Sequence, residues 1–387
     1  MTSETASGAE GAGGRYRVAL LGLGSIARAH LRGYQAAGNA TRGEIVAGAD
    51  VSEEARARFA AEVATARTYA DFQELLERER PDVVSVCTWP PLHPQMVQAA
   101  AEAGVRGILC EKPMALDLAG CDRMLAAAEK QGAVLVVGHQ RRLQPKFSRA
   151  RALIEEGTIG ELELLCGIAA GDLLTDGTHT VDALRFFTGD TAVEWVMGNV
   201  DLRERELPPS DGPRRSGFQQ WDETRTRYGH RVEAGACATL AFAGGVRATL
   251  ELGICARPGY QRFAIYGSEG MIKISGDRPA EGEPLLQVRR KGGTGWEIVP
   301  GVEETNGFAR EISLLFDSLQ YGTPHPLSGR SARATQEILM AVFESARRPG
   351  RVELPFEGPA SPLEALLARQ PAPEARTPPA VTGAGQG

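Results

Sequence analysis

The run Gly22-Leu23-Gly24-Ser25-Ile26-Ala27 constrains this chain more than any other stretch, because of what flanks it. Before it stands the apolar run 17–22 (RVALLG), which reads as a buried strand, and after it a helical pattern continues through Ala37. Glycines in a strand-to-helix turn let the backbone bend tightly and let a pyrophosphate reach the N–H groups at the helix start. A second strand-like run, 44–49, ends at Asp50. A carboxylate there accepts the ribose hydroxyls of NAD and repels the 2′-phosphate of NADP, so NAD is expected in preference to NADP. The other role open to Asp50 is to cap the helix that follows. Gly22, Gly24, Ser25, Ile26 and Asp50 are the residues expected to line a dinucleotide site.

The same alternation continues with a helix at 53–64, a short strand at 66–69, a helix at 71–80 and a strand at 82–87. The loop Thr88-Trp89-Pro90-Pro91-Leu92-His93 leaves that strand; its prolines stiffen it, and His93 either caps the next helix or lies over a nicotinamide. The apolar run 105–110 then ends in Glu111-Lys112-Pro113, at another carboxyl strand end, where open α/β sheets bind ligands. Lys112 is either a surface lysine in a turn or, as the motifs on both sides of it favour, placed there to do chemistry. After a helix at 116–130, the strand 133–138 leads into His139-Gln140-Arg141-Arg142, whose arginines face the crevice unless one pairs with a helix carboxylate. From Glu161 onward, β-rich segments separated by Gly and Pro describe a second domain on a mostly antiparallel sheet. One helix, expected over 171–189, interrupts it. Asp176, His179 and Asp182 recur there every third residue, which puts them near one face if helical. Such a face is either solvated or the seat of a general base, for which His179 between two aspartates is the candidate.

Composition narrows the function classes. A chain of 387 residues has room for two domains, and its 49 acidic and 43 basic residues are interspersed, net −6, so no basic face for nucleic acid is implied. Six cysteines without C-x-x-C, and no secretory leader, predict reduced, buried thiols in a cytoplasmic protein; no histidine spacing predicts a metal site. No apolar run is long enough to span a membrane. The expected parcelling is a disordered leader (1–14), a Rossmann domain (15–140), a substrate-binding α/β domain (141–356) and a disordered Pro/Ala/Gly-rich tail (357–387) broken by the apolar patch 363–367. Residues 201–231, charged and carrying Pro208, Pro209 and Pro213, lack periodicity and read as an insertion loop or an excursion toward a neighbouring subunit.

In order along the chain stand Gly22-x-Gly24-x-x-Ala27, the 88–93 loop, Glu111-Lys112-Pro113, Gly138-x-x-Arg141-Arg142, Glu156-Gly157-x-Ile159-Gly160, Gly177-x-His179-x-x-Asp182 and Tyr266-Gly267-Ser268-Glu269-Gly270. This set resembles the Gfo/Idh/MocA family of NAD(P)-dependent oxidoreductases over residues 15–356. The resemblance implies an α/β protein: an N-terminal Rossmann domain followed by an α/β domain with an open, mostly antiparallel sheet whose outer face makes homodimers or homotetramers. It implies hydride transfer between a nicotinamide and a secondary hydroxyl or ketone of a sugar, sugar derivative or cyclitol. Lys112 then touches the reacting oxygen and His179 is the acid/base, with Asp176 beside them. Thr88, Trp89, His93, Glu111, Lys112 and Gln140 join the cofactor side, and Arg141, Thr175 and Asp176 join Lys112 and His179 on the substrate side. Where the family usually has an aspartate four residues before the histidine, this chain has Thr175, with Asp176 one place later, and Trp89 is bulkier than the proline often found there. Two other readings use the same motifs: a glycosidase that oxidises transiently and eliminates, and a sensor that only binds the dinucleotide.

Overall fold

Each apolar run of the first third becomes a strand in a computed structural model, which describes residues 14–202, 226–253, 261–276, 281–303, 305, 307–356, 358 and 361–368. The order is β1 (Tyr16–Leu21), α1 (Ser25–Gln35), α2 (Ala37–Ala40), β2 (Gly43–Ala49), α3 (Glu53–Glu62), β3 (Arg67–Tyr69), α4 (Phe72–Glu79) and β4 (Val83–Val86). It continues through α5 (His93–Glu102), β5 (Gly107–Cys110), α6 (Leu118–Gln131) and β6 (Val134–Val137). The six strands pair in parallel in the order β3-β2-β1-β4-β5-β6. Helices cover both faces, which is why β4 and β5 are buried at every position and read as unbroken apolar runs. The strand order reverses between β1 and β4, so the crevice for a ligand opens at their carboxyl ends.

The second domain follows with α7 (Pro145–Glu155), β7 (Leu162–Ala169), α8 (Thr178–Phe187), β8 (Val193–Asp201), the two-residue strands β9 (Thr226–Arg227) and β10 (His230–Arg231), β11 (Gly235–Phe242) and β12 (Arg247–Leu252). Next come β13 (Gln261–Gly267), β14 (Gly270–Ile274), β15 (Leu286–Arg290), β16 (Glu297–Ile298), α9 (Phe308–Tyr321), α10 (Gly329–Arg347), β17 (Val352–Glu353) and α11 (Pro362–Leu367). Nine strands form one sheet, β16-β15-β14-β13-β7-β12-β11-β8-β17, antiparallel throughout except for the β7–β12 pair.

The core of the 15–140 domain is also covered by α9: Ile312, Leu315 and Phe316 pack with Val18, Leu20 and Ile45, and Phe316 stacks on Tyr16 at 5.3 Å. Two expectations need revision. The patch at 363–367 is not a break in a shapeless tail but α11, capped by Ser361, with Leu363 and Leu367 each 3% exposed. The cysteines are not uniformly buried either: Cys87, Cys110 and Cys121 are, whereas Cys237 is exposed on the sheet, since β11 points alternate side chains outward. Cys255, most of the 201–231 segment, and the rest of the leader and tail lie outside the described residues. Among the described residues no helix is long and apolar enough to cross a membrane.

Candidate active site

At the carboxyl end of β1, Gly22 adopts φ +85°, and a Cβ there would lie 2.9 Å from the Cys87 carbonyl carbon, so only glycine lets β1 and β4 approach this closely. Gly24 differs in kind. A Cβ on it would meet nothing within 4 Å, so its missing side chain clears space for something other than protein. It also precedes α1, whose first turn has neither a side-chain cap nor an acidic residue. Uncapped N–H groups at a positive helix end beside cleared space fit the pyrophosphate of NAD. Ser25 is exposed at that helix start and Ile26 is half-buried. Asp50, half-buried at the end of β2, accepts from the Leu23 N–H (2.7 Å) and the Ser52 N–H (2.8 Å), which ties its carboxylate to the glycine turn.

The ends of β4, β5 and β6 supply the next residues. Thr88 sits against the glycine turn, its methyl 2.8 Å from where a Gly22 Cβ would be, and Trp89 beside it is 58% exposed. His93 is turned into the fold: it is 0% exposed, with Nδ1 3.0 Å from the Pro113 carbonyl and Nε2 3.2 Å from that of Thr88. Burial holds it neutral, and it joins the 88–93 loop to the segment carrying Lys112. Glu111 is likewise turned inward. Its Oε1 lies 2.8 Å from His30 Nε2 and its Oε2 accepts from the Lys112 N–H at 3.2 Å. Burial works against the charged form of His30, yet Cys87 and Glu111 lift it to about 10, and the pairing in turn holds Glu111 below its ordinary range. Gln140, just past β6, has a buried Oε1 without a partner among the described residues.

Lys112 crosses from the first domain to the second, where its amine donates to the Thr175 carbonyl at 2.8 Å. Burial lowers its pKa, Asp176 and Glu111 push it back up, and Arg227 and Arg141 add to the lowering. The single helix expected over 171–189 is in fact a wide turn, Leu173–Gly177, in which the Gly177 N–H reaches the Asp172 carbonyl at 2.9 Å, followed by α8. This turn presents the Thr175 carbonyl to Lys112 and folds the Asp176 side chain over Gly171, where a Cβ would lie 1.7 Å from Asp176 Oδ2. His179, in the first turn of α8, is 4% exposed. Burial, then Arg141, Lys112 and His139, push its pKa well below the usual value, so its imidazole is neutral. Its Nδ1 and the Thr175 hydroxyl are buried without partners among the described residues.

Asp182 does not join this group. Steps of three residues fall short of a helical turn by about 60° each, so the third member rotates away. It forms a two-pronged bond with Arg142, both contacts at 2.7 Å, and Arg142 also binds Asp190. Arg142 is thus the arginine that pairs with a helix carboxylate. Arg141 instead bonds Gln261 and influences both His179 and Lys112.

Two residues had no signal of their own in the sequence. Arg227 Nη1 donates to Asp172 Oδ2 and Asp176 Oδ2, both at 2.6 Å. Glu233, fully buried, accepts from the Leu173 N–H, and burial with Asp172 and Asp176 nearby raises its carboxyl to about 8. Both lie in or next to the charged segment without periodicity, and their partners are far away in the chain.

The family model described as an oxidoreductase family with an NAD-binding Rossmann fold matches residues 16–139, and the Gfo/Idh/MocA C-terminal domain model matches 166–273. The chain is 33% identical to an inositol 2-dehydrogenase/D-chiro-inositol 3-dehydrogenase of Shouchella clausii over 352 residues, covering 88% of this chain and 94% of that protein. It is 34% identical to inositol 2-dehydrogenase 3 of Saccharopolyspora erythraea over 334 residues, 85% and 92% of the two chains. Among solved structures, a levoglucosan dehydrogenase complexed with NADH and levoglucosan superposes with TM-score 0.74 over 89% of this chain and 100% of that one, at 22% identity. Two consecutive domain models and two full-length relatives place this chain in the Gfo/Idh/MocA oxidoreductase family.

Proposed function

We propose that this protein oxidises a secondary hydroxyl of a cyclitol or cyclic sugar, or reduces the corresponding ketone, with Lys112 at the reacting oxygen and His179 exchanging its proton. The coarser statement, an NAD-dependent dehydrogenase acting on CH–OH groups, rests on family membership and on full-length relatives named as inositol dehydrogenases. The observation that carries the finer reading is a neutral, buried histidine whose Nδ1 has no partner among the described residues, grouped with a half-buried lysine whose amine donates to the Thr175 carbonyl.

Bound NAD supplies the acceptor for the hydride that leaves the carbinol carbon. The chain does the rest. Gly24, the first turn of α1 and Asp50 hold the dinucleotide, and Glu111 and His93 fix the backbone on either side of Lys112. As the carbon loses hydride, the hydroxyl must lose its proton, and a neutral imidazole is the base able to take it. The Lys112 ammonium stabilises the charge developing on oxygen, in surroundings where little water competes. The Thr175 hydroxyl and Gln140 Oε1, buried without described partners, are positions where the other hydroxyls of a polyol restore lost hydrogen bonds.

A screen of cyclitols and cyclic sugars by NADH absorbance tests this. One cofactor reduced per substrate consumed is expected. Product released with only catalytic cofactor would replace the reading with oxidation–elimination.

A further inference from the structure

The β9–β10 hairpin lies apart in sequence from every motif above, yet it reaches both sides of the cleft. Arg227 on β9 is 3% exposed and places one guanidinium nitrogen, Nη1, 2.6 Å from both Asp172 Oδ2 and Asp176 Oδ2. Asp172, fully buried, uses its other oxygen to accept the Thr175 N–H at 2.7 Å, so the wide turn and the arginine share one carboxylate. At the hairpin tip, Gly229 stands so close to the 88–93 loop that a Cβ would be 3.0 Å from Trp89 Cε3 and 3.5 Å from Pro91 Cγ. The hairpin therefore spans from the cofactor-binding domain to the turn that carries Thr175 and Asp176.

We propose that Arg227 is a positioning residue for the dehydrogenase reaction, holding Asp176 as a fixed carboxylate opposite Lys112 so that the proton of the reacting hydroxyl goes to His179 and not to Asp176. This rests on the dehydrogenase reading above and gives Asp176, one place after the family's usual aspartate position, a role in this chain. A carboxylate bridged to a buried arginine is a poor proton acceptor, because taking the proton breaks a charge-assisted bond. Its use here is to keep Lys112 charged. The charged and titratable groups around that amine are Glu111 just after β5, Asp176 from the wide turn, Arg227 from the hairpin and Arg141 after β6, with neutral His139 after β6 and neutral His179 on α8. Arg227 acts on the amine in two opposing ways: it fixes a carboxylate that favours the ammonium and opposes the ammonium by its own charge.

That opposition gives a test that a merely structural role would not pass. Wild type, Arg227→Met and Asp172→Asn are compared with the polyol found by the screen. The readouts are kcat/KM against pH, NADH affinity by fluorescence and thermal stability. Arg227→Met should lower kcat/KM roughly tenfold or more through the lost charge-assisted bond, leave NADH affinity within about twofold, and move the alkaline limb to higher pH, because the direct opposition of its charge to the ammonium is gone while Asp176, looser, stays on the same turn. Asp172→Asn should move that limb to lower pH, since Arg227 keeps its charge while losing one of two neutralising carboxylates. Arg227→Lys should restore most of the activity, because a single nitrogen serves both carboxylates. Displacements in opposite directions support the proposal; if Arg227→Met does not fold, the downward shift in Asp172→Asn decides. Limbs that stay in place, or that move together, overturn it while the dehydrogenase reading stands. A wild type that reduces NAD with no cyclic polyol overturns both.

Discussion

At the glycine turn, what is offered to a dinucleotide comes from backbone N–H groups and from side chains that are missing, whereas at Lys112 it comes from buried ionisable groups whose charges depend on one another. The first arrangement is local: Gly22, Gly24 and α1 are consecutive, and Asp50 closes the turn through one N–H. The second is assembled from β5, β6, the Leu173–Gly177 turn, α8 and the β9–β10 hairpin, so a change in one charge is felt by the others. Backbone sites of this kind tolerate drift in the surrounding sequence. Side-chain sites carry the chemistry and are correspondingly fragile.

The sharpest way to separate the two is to remove the chemistry and leave the binding. His179→Ala should lower kcat by ~10²- to 10⁴-fold, with partial recovery at high pH where hydroxide substitutes. Lys112→Ala should cost ~10²-fold or more. In both, NAD affinity and melting temperature should stay near wild type, and loss of all three together would make these residues structural. Because burial and neighbouring cations depress His179, its base form persists below the ordinary histidine pKa of about 6.5, so the acid limb of kcat/KM should lie below that value. An acid limb above it would remove His179 from the role.

On the cofactor side, Asp50→Ser should narrow the preference for NAD over NADP. Like-charge repulsion worth ~1 to 3 kcal/mol disappears, roughly 5- to 150-fold in relative affinity. Titration of both cofactors checks this, and a wild type that binds NADP more tightly would refute the assignment. The smallest effects distinguish the two glycines. Gly22→Ala, at positive φ and against the Cys87 carbonyl, should lower the melting temperature. Gly24→Ala meets no protein atom and should leave stability almost unchanged while weakening NAD severalfold. Equal loss of stability in both would mean that the space at Gly24 is not kept for a ligand.

The local arrangement was legible in the sequence and the assembled one only in part, for a physical reason. Strand, glycine turn and helix are written in periodicity, and each occupies the predicted place within a few residues. Lys112 and His179 were visible through motifs, since each sits at a strand or helix end with a recognisable flank. The wide turn at 173–177 was not, because its five-residue hydrogen bond leaves no periodic mark over so short a span. Arg227 escaped because a charge among many others shows nothing of its partners, Asp172 and Asp176, across the intervening chain. His93 is the opposite case: a polar residue after a strand end looks available, and only the structure shows it completely buried with a carbonyl at each ring nitrogen. The return of α9 to the first core was not visible, because periodicity finds helices and does not say which core a helix covers.

That last point bears on how the protein is made. A ribosome delivers β1 to β6 first, but Ile312, Leu315 and Phe316, which cover Val18, Leu20 and Ile45, follow only after nearly the whole second domain has been synthesised. At ~5–20 residues per second, the nascent nucleotide-binding domain waits on the order of ten seconds or longer with an apolar flank uncovered. The last part of the first domain's apolar cover is therefore supplied only when α9 leaves the exit tunnel.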